Sequence, residues 1–123
     1  MTINYKTAVE NIRSILKGYV NRSGLKCLVI GESGGIDSCL CTVLANPVCK
    51  ELGIPLIARS ITIETNKEDE ITRARRVGNA FATDFKEMDL TNLYYQIRDE
   101  MIPPSEIKSI DHKIACGNLK ARI

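Results

Sequence analysis

Residues 28–38 of this 123-residue chain read LVIGESGGIDS and contain the clearest signal of its fold. An apolar run comes first, two glycines follow, and a helix-like pattern begins after them. This order predicts a strand, a glycine turn and the first turn of a helix. Such a turn presents several backbone N–H groups at the positive end of a helix dipole, so it predicts a site for phosphate or pyrophosphate.

The side chains of this turn fit an anion with a bound metal ion. Gly34 and Gly35 let the backbone approach the anion without a Cβ in the way, and they permit positive φ. Ser33 and Ser38 add hydroxyl donors. The carboxylate of Asp37 would repel a phosphate unless a divalent cation lay between them, so we predict that Asp37 binds Mg²⁺.

The turn is not a Walker A loop, since no Lys follows the glycines. It resembles the SGGxDS pyrophosphate loop of the N-type ATP pyrophosphatases, which cleave ATP between its α and β phosphates. A plain tight glycine turn is the alternative. The resemblance implies that ATP contacts Gly31, Glu32, Ser33, Gly34, Gly35, Ile36, Asp37 and Ser38.

Alternating strand and helix patterns predict an α/β fold, a parallel sheet with helices on both faces. Nucleotides bind such sheets at the carboxyl ends of the strands, where residues 31–38 would lie. The expected strands cover residues 25–31, 54–63 and 83–90. The expected helices cover residues 4–20, 37–52 and 65–81. A fourth helix uses Leu93, Ile97 and Met101 as its apolar face and ends at Pro103-Pro104, and a last one starts at residue 106.

Several local details are also predicted. Asn46-Pro47 should interrupt the second helix, as a cap and a first-turn proline. Thr65 and Glu68 have the spacing of a capping box. The arginines of the third helix should lie on its solvated face, and the only histidine, His112, should lie at the surface.

Composition limits the classes of partner. The formal net charge of +2 gives no strong electrostatic case for nucleic acid or a membrane surface. The five cysteines contain no CxxC pair and lie in apolar stretches, so they indicate buried reduced thiols rather than disulfides or a zinc site. Since no signal peptide or membrane span is evident, we expect a soluble, cytoplasmic protein.

Residues 117–122 read GNLKAR and resemble the GNxKAR segment of NAD synthetases, one branch of the same superfamily. This resemblance implies a Rossmann-like, adenine nucleotide alpha hydrolase-like fold and a ligase of the ammonia-dependent type. It implies that Arg122 contacts deamido-NAD. Arg59, near the end of the second strand, would correspond to the ATP-contacting arginine of the family.

The resemblance also implies a reaction. The carboxylate of deamido-NAD would attack the α-phosphate of ATP, form an acyl-adenylate and release pyrophosphate, and ammonia would then displace AMP to give NAD. The loop and Mg²⁺ would stabilise the departing pyrophosphate and so accelerate the reaction. The resemblance therefore implies no residue that acts as a covalent nucleophile. Family members pair as homodimers, so we expect a homodimer.

The resemblance covers only the amino-terminal half of a NAD synthetase. We therefore expect residues 1–123 to be a single ATP-pyrophosphatase domain that is incomplete at its carboxyl end, with weak ATP binding and no turnover alone. Two alternatives stay open. One is another ATP pyrophosphatase, such as an amidotransferase or a nucleobase-modifying enzyme, and the other is a non-catalytic nucleotide-binding module.

Overall fold

The structure is a computed structural model that describes residues 2–102 and 110–123, without the side chains of residues 110 and 111. It contains two compact units. The first comprises residues 1–61 and 67–87, and the second comprises residues 62–66 and 88–123. The elements are α1 (Tyr5–Ser23), β1 (Leu28–Gly31), α2 (Ile36–Leu52), β2 (Leu56–Thr62), α3 (Glu68–Phe81), β3 (Asp84–Asp89), α4 (Thr91–Met101) and α5 (Ile110–Arg122).

The three strands form one sheet in the order β1-β2-β3. β1 and β2 are parallel, with Leu28 opposite Leu56. β3 runs in the same direction, since the Thr83 N–H donates to the Leu56 carbonyl at 2.8 Å and the Leu90 N–H donates to the Thr62 carbonyl at 2.9 Å. The predicted α/β class with a parallel sheet is confirmed.

The core of the first unit lies on one face of this sheet. Leu28 and Ile30 share that face because alternate residues of a strand point to the same side. Helices α1 and α2 pack against it through a cluster that contains Leu16, Ala45 and Cys49. This packing fixes β1 and α2, which are the two elements that flank the glycine turn.

Helix α1 confirms the prediction for residues 4–20, although it continues to Ser23. The side chain of Asn4 caps its first turn by accepting the Thr7 N–H at 3.2 Å. Gly24 ends it in the left-handed region, at φ +64°. Two of its apolar side chains, Ile12 and Tyr19, remain exposed.

The predicted interruption of the second helix is wrong, because α2 is continuous and holds Pro47 in its interior. Pro47 has no N–H to give to the Val43 carbonyl. The Arg13 side chain of α1 supplies the missing donor, since its Nη2 donates to the Val43 carbonyl at 3.1 Å, and its Nε also donates to the neighbouring Leu44 carbonyl at 3.1 Å. Asn46 caps nothing and instead donates to the Phe81 carbonyl at 2.6 Å.

The predicted capping box is also wrong. Helix α3 begins three residues after Thr65, at Glu68, and Lys67 precedes it without a side-chain cap. Three acidic side chains in the first turn stabilise the helix dipole instead. In α4 the buried residue is Tyr94, whereas Leu93 and Met101 remain exposed.

The predicted start of the last helix at residue 106 lies outside the described residues. All five cysteines are free thiols, but their predicted burial is wrong for Cys41, which is exposed, and only Cys49 is fully buried. Within residues 2–102 and 110–123, no helix combines the length and apolar character needed to cross a membrane.

Candidate pyrophosphate-binding site

The glycine turn has the predicted strand–turn–helix geometry. β1 ends at Gly31, and α2 begins at Ile36 with Gly35 as its N-cap residue at φ −77°. Gly34 lies in the left-handed region at φ +82°. The turn therefore ends at the N-terminus of a 17-residue helix, where free N–H groups favour an anion.

Helix α3 fixes the position of Gly34. A Cβ on Gly34 would overlap the backbone of Glu70, so only glycine fits there. The Arg73 Nε donates to the Gly34 carbonyl at 2.9 Å. The sequence placed Arg73 on a solvated helix face, and its side chain is indeed 54% exposed while it holds the loop. No sequence signal identified this contact.

The two serines of the loop bond each other. Ser33 Oγ and Ser38 Oγ are 2.9 Å apart, and the Ser33 N–H donates to Ser38 Oγ at 3.2 Å. The Gly35 N–H donates to Ser33 Oγ at 3.2 Å. Both predicted hydroxyl donors are therefore brought together at one side of the turn.

Glu32 lies beneath this turn and is only 1% exposed. Ser38 Oγ donates to its Oε1 at 2.9 Å, Thr42 Oγ1 donates to its Oε2 at 2.5 Å, and Cys39 Sγ donates to its Oε1 at 3.3 Å. Burial, reinforced by the Glu32 carboxylate, raises the pKa of Cys39 to about 11. No local sequence signal places Thr42 beside Glu32, because the two residues meet only when α2 packs against the end of β1.

Asp37 and Ile36 are exposed in the first turn of α2. Magnesium usually takes one or two protein carboxylates and completes its shell with phosphate oxygens and waters, so the single carboxylate of Asp37 fits it. Among the described residues no group of three or more His, Cys, Asp or Glu side chains could hold a metal. A metal at this turn would therefore depend on oxygens supplied by the nucleotide.

A cavity of about 480 Å³ opens beside the turn within the first unit. Its walls combine apolar side chains with two guanidinium groups. The lining residues are Gly34, Ile36, Cys39, Arg73, Arg76 and Val77.

Arg59 lies opposite Gly31 in the sheet, and its carbonyl accepts the Glu32 N–H at 2.8 Å. Its guanidinium is held by β3: Nη1 donates to the Asp84 carbonyl at 3.1 Å, and Nη2 pairs with the Asp84 carboxylate at 3.2 Å. Asp84 was missed, because the pairing of β2 with β3 is needed to place it.

Arg122 lies in the second unit, at the exposed end of α5, where its Nη1 donates to the Asn118 carbonyl at 3.2 Å. Lys120 of the same segment pairs with the Glu64 carboxylate. The surface position predicted for His112 is wrong: the residue is 8% exposed, and its Nε2 lies 3.3 Å from Cys116 Sγ one helical turn along α5.

Comparison with known proteins decides the family. The sequence model described as NAD synthase matches residues 8–123, which is nearly the whole chain. The chain belongs to the NAD synthase family. The resemblance of the glycine turn and of the GNLKAR segment to this family is thereby confirmed.

Individual relatives give the same assignment. The NH₃-dependent NAD⁺ synthetase of Pyrobaculum aerophilum is 30% identical over 122 residues, which cover 98% of this chain and 43% of that protein. The NH₃-dependent NAD⁺ synthetase of Finegoldia magna is 31% identical over 121 residues, which cover 98% of this chain and 46% of that protein. This NAD synthase family chain thus spans less than half the length of the curated relatives it matches.

A solved structure gives the fold. The crystal structure of NAD⁺ synthetase from Burkholderia pseudomallei superposes with a TM-score of 0.82 at 21% identity, over 98% of this chain and 54% of that one. The Rossmann-like fold predicted for this member of the NAD synthase family is confirmed.

Proposed function

We propose that this chain is the ATP-loop half of an ammonia-dependent NAD synthetase and forms a single ATP-pyrophosphatase domain. The observation that carries the proposal is the turn between β1 and α2. There, Gly34 adopts φ +82°, the free N–H groups of α2 begin, and Asp37 is exposed beside them. This arrangement suits the β and γ phosphates of ATP.

The proposed reaction begins with the deamido-NAD carboxylate, which attacks the α-phosphate of ATP to form an acyl-adenylate. Pyrophosphate leaves from the α-phosphorus with the bonding electron pair. Ammonia then attacks the acyl carbon, loses a proton and displaces AMP, which leaves the amide of NAD. The N–H groups of the turn stabilise the charge that develops on pyrophosphate, and one well-placed donor of this kind contributes about 3 kcal/mol.

Mg²⁺ bound by Asp37 would supply charge neutralisation between the carboxylate and the phosphates. Asp37 would hold that ion, and Ser33 and Ser38 would orient the phosphate oxygens. Gly31, Glu32, Gly35 and Ile36 complete the proposed ATP-binding segment around Gly34.

The two arginines have different proposed tasks. Arg59 is already bound to Asp84 in the structure, so its proposed ATP contact would use the part of the guanidinium that this pair leaves accessible. Arg122 would bind a phosphate or the carboxylate of deamido-NAD through paired hydrogen bonds, for which a guanidinium is suited. A homodimer in the cytoplasm, acting on small molecules rather than on nucleic acid or membranes, completes the proposal.

Binding of the phosphates separates this proposal from a plain glycine turn. If the turn holds the β and γ phosphates, Mg-ATP and Mg-pyrophosphate bind the chain competitively, and AMP binds at least tenfold more weakly in calorimetric titrations, which is a difference of about 1.4 kcal/mol. Asp37→Ala should weaken Mg-ATP binding by a similar factor. Equal affinity for AMP and ATP, or an unchanged affinity in Asp37→Ala, would contradict the proposal.

Product analysis separates the substrate assignment from the alternatives. With deamido-NAD, ammonia and Mg-ATP, the protein that contains this chain should form NAD, AMP and pyrophosphate in equal amounts. Release of AMP and pyrophosphate only with a nucleobase or another carboxylate acceptor would indicate a different ATP pyrophosphatase. Nucleotide binding without any turnover in that protein would indicate the non-catalytic module.

A further inference from the structure

A carboxylate beneath an anion-binding turn is unfavourable for the binding of phosphate, because the two negative charges repel each other. Glu32 is such a group: it is 1% exposed, and none of the ion pairs formed by the described residues includes it. Its charge faces neutral donors of the first turns of α2. A buried carboxylate can only accept hydrogen bonds, so it dictates where the protons of these donors point.

The hydroxyl protons of Ser38 and Thr42 are the first to be fixed. Each hydroxyl has one proton, and hydrogen bonds to a charged acceptor are about twice as strong as neutral ones. Ser38 therefore gives its proton to Glu32 across 2.9 Å rather than to the Gly35 carbonyl across 3.2 Å. Thr42 gives its proton to Glu32 in preference to the Ser38 carbonyl, which lies 2.9 Å away.

The direction of the remaining bonds follows from this first step. Because Ser38 Oγ donates its only proton to Glu32, Ser33 Oγ must be the donor in the 2.9 Å hydrogen bond between the two serine hydroxyls. Ser33 Oγ then accepts the Gly35 N–H at 3.2 Å. The result is one directed chain of hydrogen bonds from the Gly35 N–H through Ser33 and Ser38 to Glu32.

This chain of hydrogen bonds occupies protons that a phosphate could otherwise accept. While it is intact, the Gly35 N–H is donated to Ser33 Oγ, the Ser33 proton to Ser38 Oγ and the Ser38 proton to Glu32. We propose that Glu32 is a positioning residue that keeps the serine protons engaged within the turn and thereby lowers the affinity of the turn for pyrophosphate, the product that must leave. This inference rests on the proposed function of the turn.

The test compares Glu32→Gln with the wild-type chain by NMR titration of Mg-pyrophosphate. A neutral carboxamide accepts the Ser38 proton only weakly and can itself donate, so the serine hydroxyls become free to bind the ligand. We expect Glu32→Gln to bind Mg-pyrophosphate about tenfold more tightly than the wild type does. An unchanged or weaker affinity in a folded Glu32→Gln variant would overturn the inference.

Removal of a buried negative charge would also raise the affinity for an anion, so the control measures the same change in a Ser38→Ala background. Without the Ser38 hydroxyl the chain is broken, and Glu32→Gln should then change the affinity by less than about twofold. An equally large gain in both backgrounds would show a simple charge effect and contradict the proposed positioning. Glu32→Asp serves as a second variant that keeps the charge but shortens the side chain. It should bind Mg-pyrophosphate several-fold more tightly, and an unchanged affinity would count against the inference.

A ligand-free readout separates this inference from the proposed function. In Glu32→Gln the amide resonance of Gly35, which bonds Ser33 Oγ and not Glu32, should shift in the absence of any ligand. The shift should be absent when the same change is made in Ser38→Ala. If the Gly35 amide resonance does not shift in Glu32→Gln, the proposed chain of hydrogen bonds is refuted even if pyrophosphate binds. Wild-type protein that binds no pyrophosphate, with the Gly35 shift present, would refute only the proposed function.

Discussion

Two residues with left-handed backbone angles follow neighbouring strands of this sheet: Gly34 at φ +82° after β1, and Glu64 at φ +69° after β2. Gly34 has no space for a side chain, because the backbone of Glu70 occupies the position of a Cβ. Glu64 has that space and uses it. Its carboxylate pairs with Lys120 and accepts a hydrogen bond from Tyr95 Oη at 3.4 Å.

The difference shows two ways of fixing a loop. The turn at Gly34 is defined by backbone packing, so its geometry depends on the absence of atoms. The loop at Glu64 accepts a backbone cost of about 1 kcal/mol and depends on side-chain contacts that lie partly in solvent. Charged contacts of that kind contribute little and respond to salt and pH, whereas backbone overlap does not.

The largest expected effect comes from Gly34→Ala. Alanine disfavours the left-handed φ that Gly34 adopts, and its Cβ would overlap the Glu70 backbone. Relief of this overlap would require a displacement of α3. We expect the free energy of unfolding, measured by urea denaturation, to fall by about 3 kcal/mol or more. Mg-pyrophosphate binding should be lost in any fraction that still folds.

Gly35→Ala is the matched control. Gly35 has an ordinary φ of −77°, and its added Cβ would meet only the Ser33 hydroxyl at 3.3 Å. We expect a loss of no more than about 1 kcal/mol. Equal losses at the two glycines would mean that the packing of α3 against Gly34 does not set the loop.

Glu64→Gln should have a smaller effect that depends on pH. The hydrogen bond from Lys120 lowers the pKa of Glu64 below its ordinary value of 4.5, so its contribution is fully present above that value and is lost as the pH falls through the lower folded pKa. At neutral pH the free energy of unfolding of the wild type should exceed that of Glu64→Gln by less than about 1 kcal/mol, because the ion pair between Glu64 and Lys120 is partly exposed. Urea denaturation from pH 3 to pH 7 measures this difference.

Glu64→Gly sharpens the same comparison. It removes the left-handed strain together with the ion pair, so we expect its stability at neutral pH to lie within about 1 kcal/mol of the wild type.

A stability difference between wild type and Glu64→Gln that stays constant down to pH 3 would show that the Lys120 pair does not act through the Glu64 charge.

The sequence was sufficient where the signal is local. An apolar run, two glycines and a helical pattern predicted β1, the turn and the start of α2, and the end of α2 at Gly53 follows from the αL preference of glycine. The family resemblance rested on two short motifs and was confirmed over residues 8–123. The roles of the individual site residues stay predictions.

The sequence was insufficient where a contact joins distant residues. Pro47 is accommodated inside α2, where Arg13, 34 positions earlier, donates to the Val43 carbonyl that proline leaves without a donor. From the sequence Glu32 is a loop residue, and only the packing of α2 brings Ser38 and Thr42 within hydrogen-bond distance of its carboxylate. Arg59 acquires Asp84 only when β3 pairs with β2. Each of these contacts requires tertiary structure that local propensity does not contain.

The most direct test of the central claim is a crystal structure of the chain soaked with ATP and Mg²⁺. We expect density for the β and γ phosphates against the backbone N–H groups of residues 33–38, with a metal ion between them and the Asp37 carboxylate. The phosphates bound at another place, with this turn empty, would contradict it.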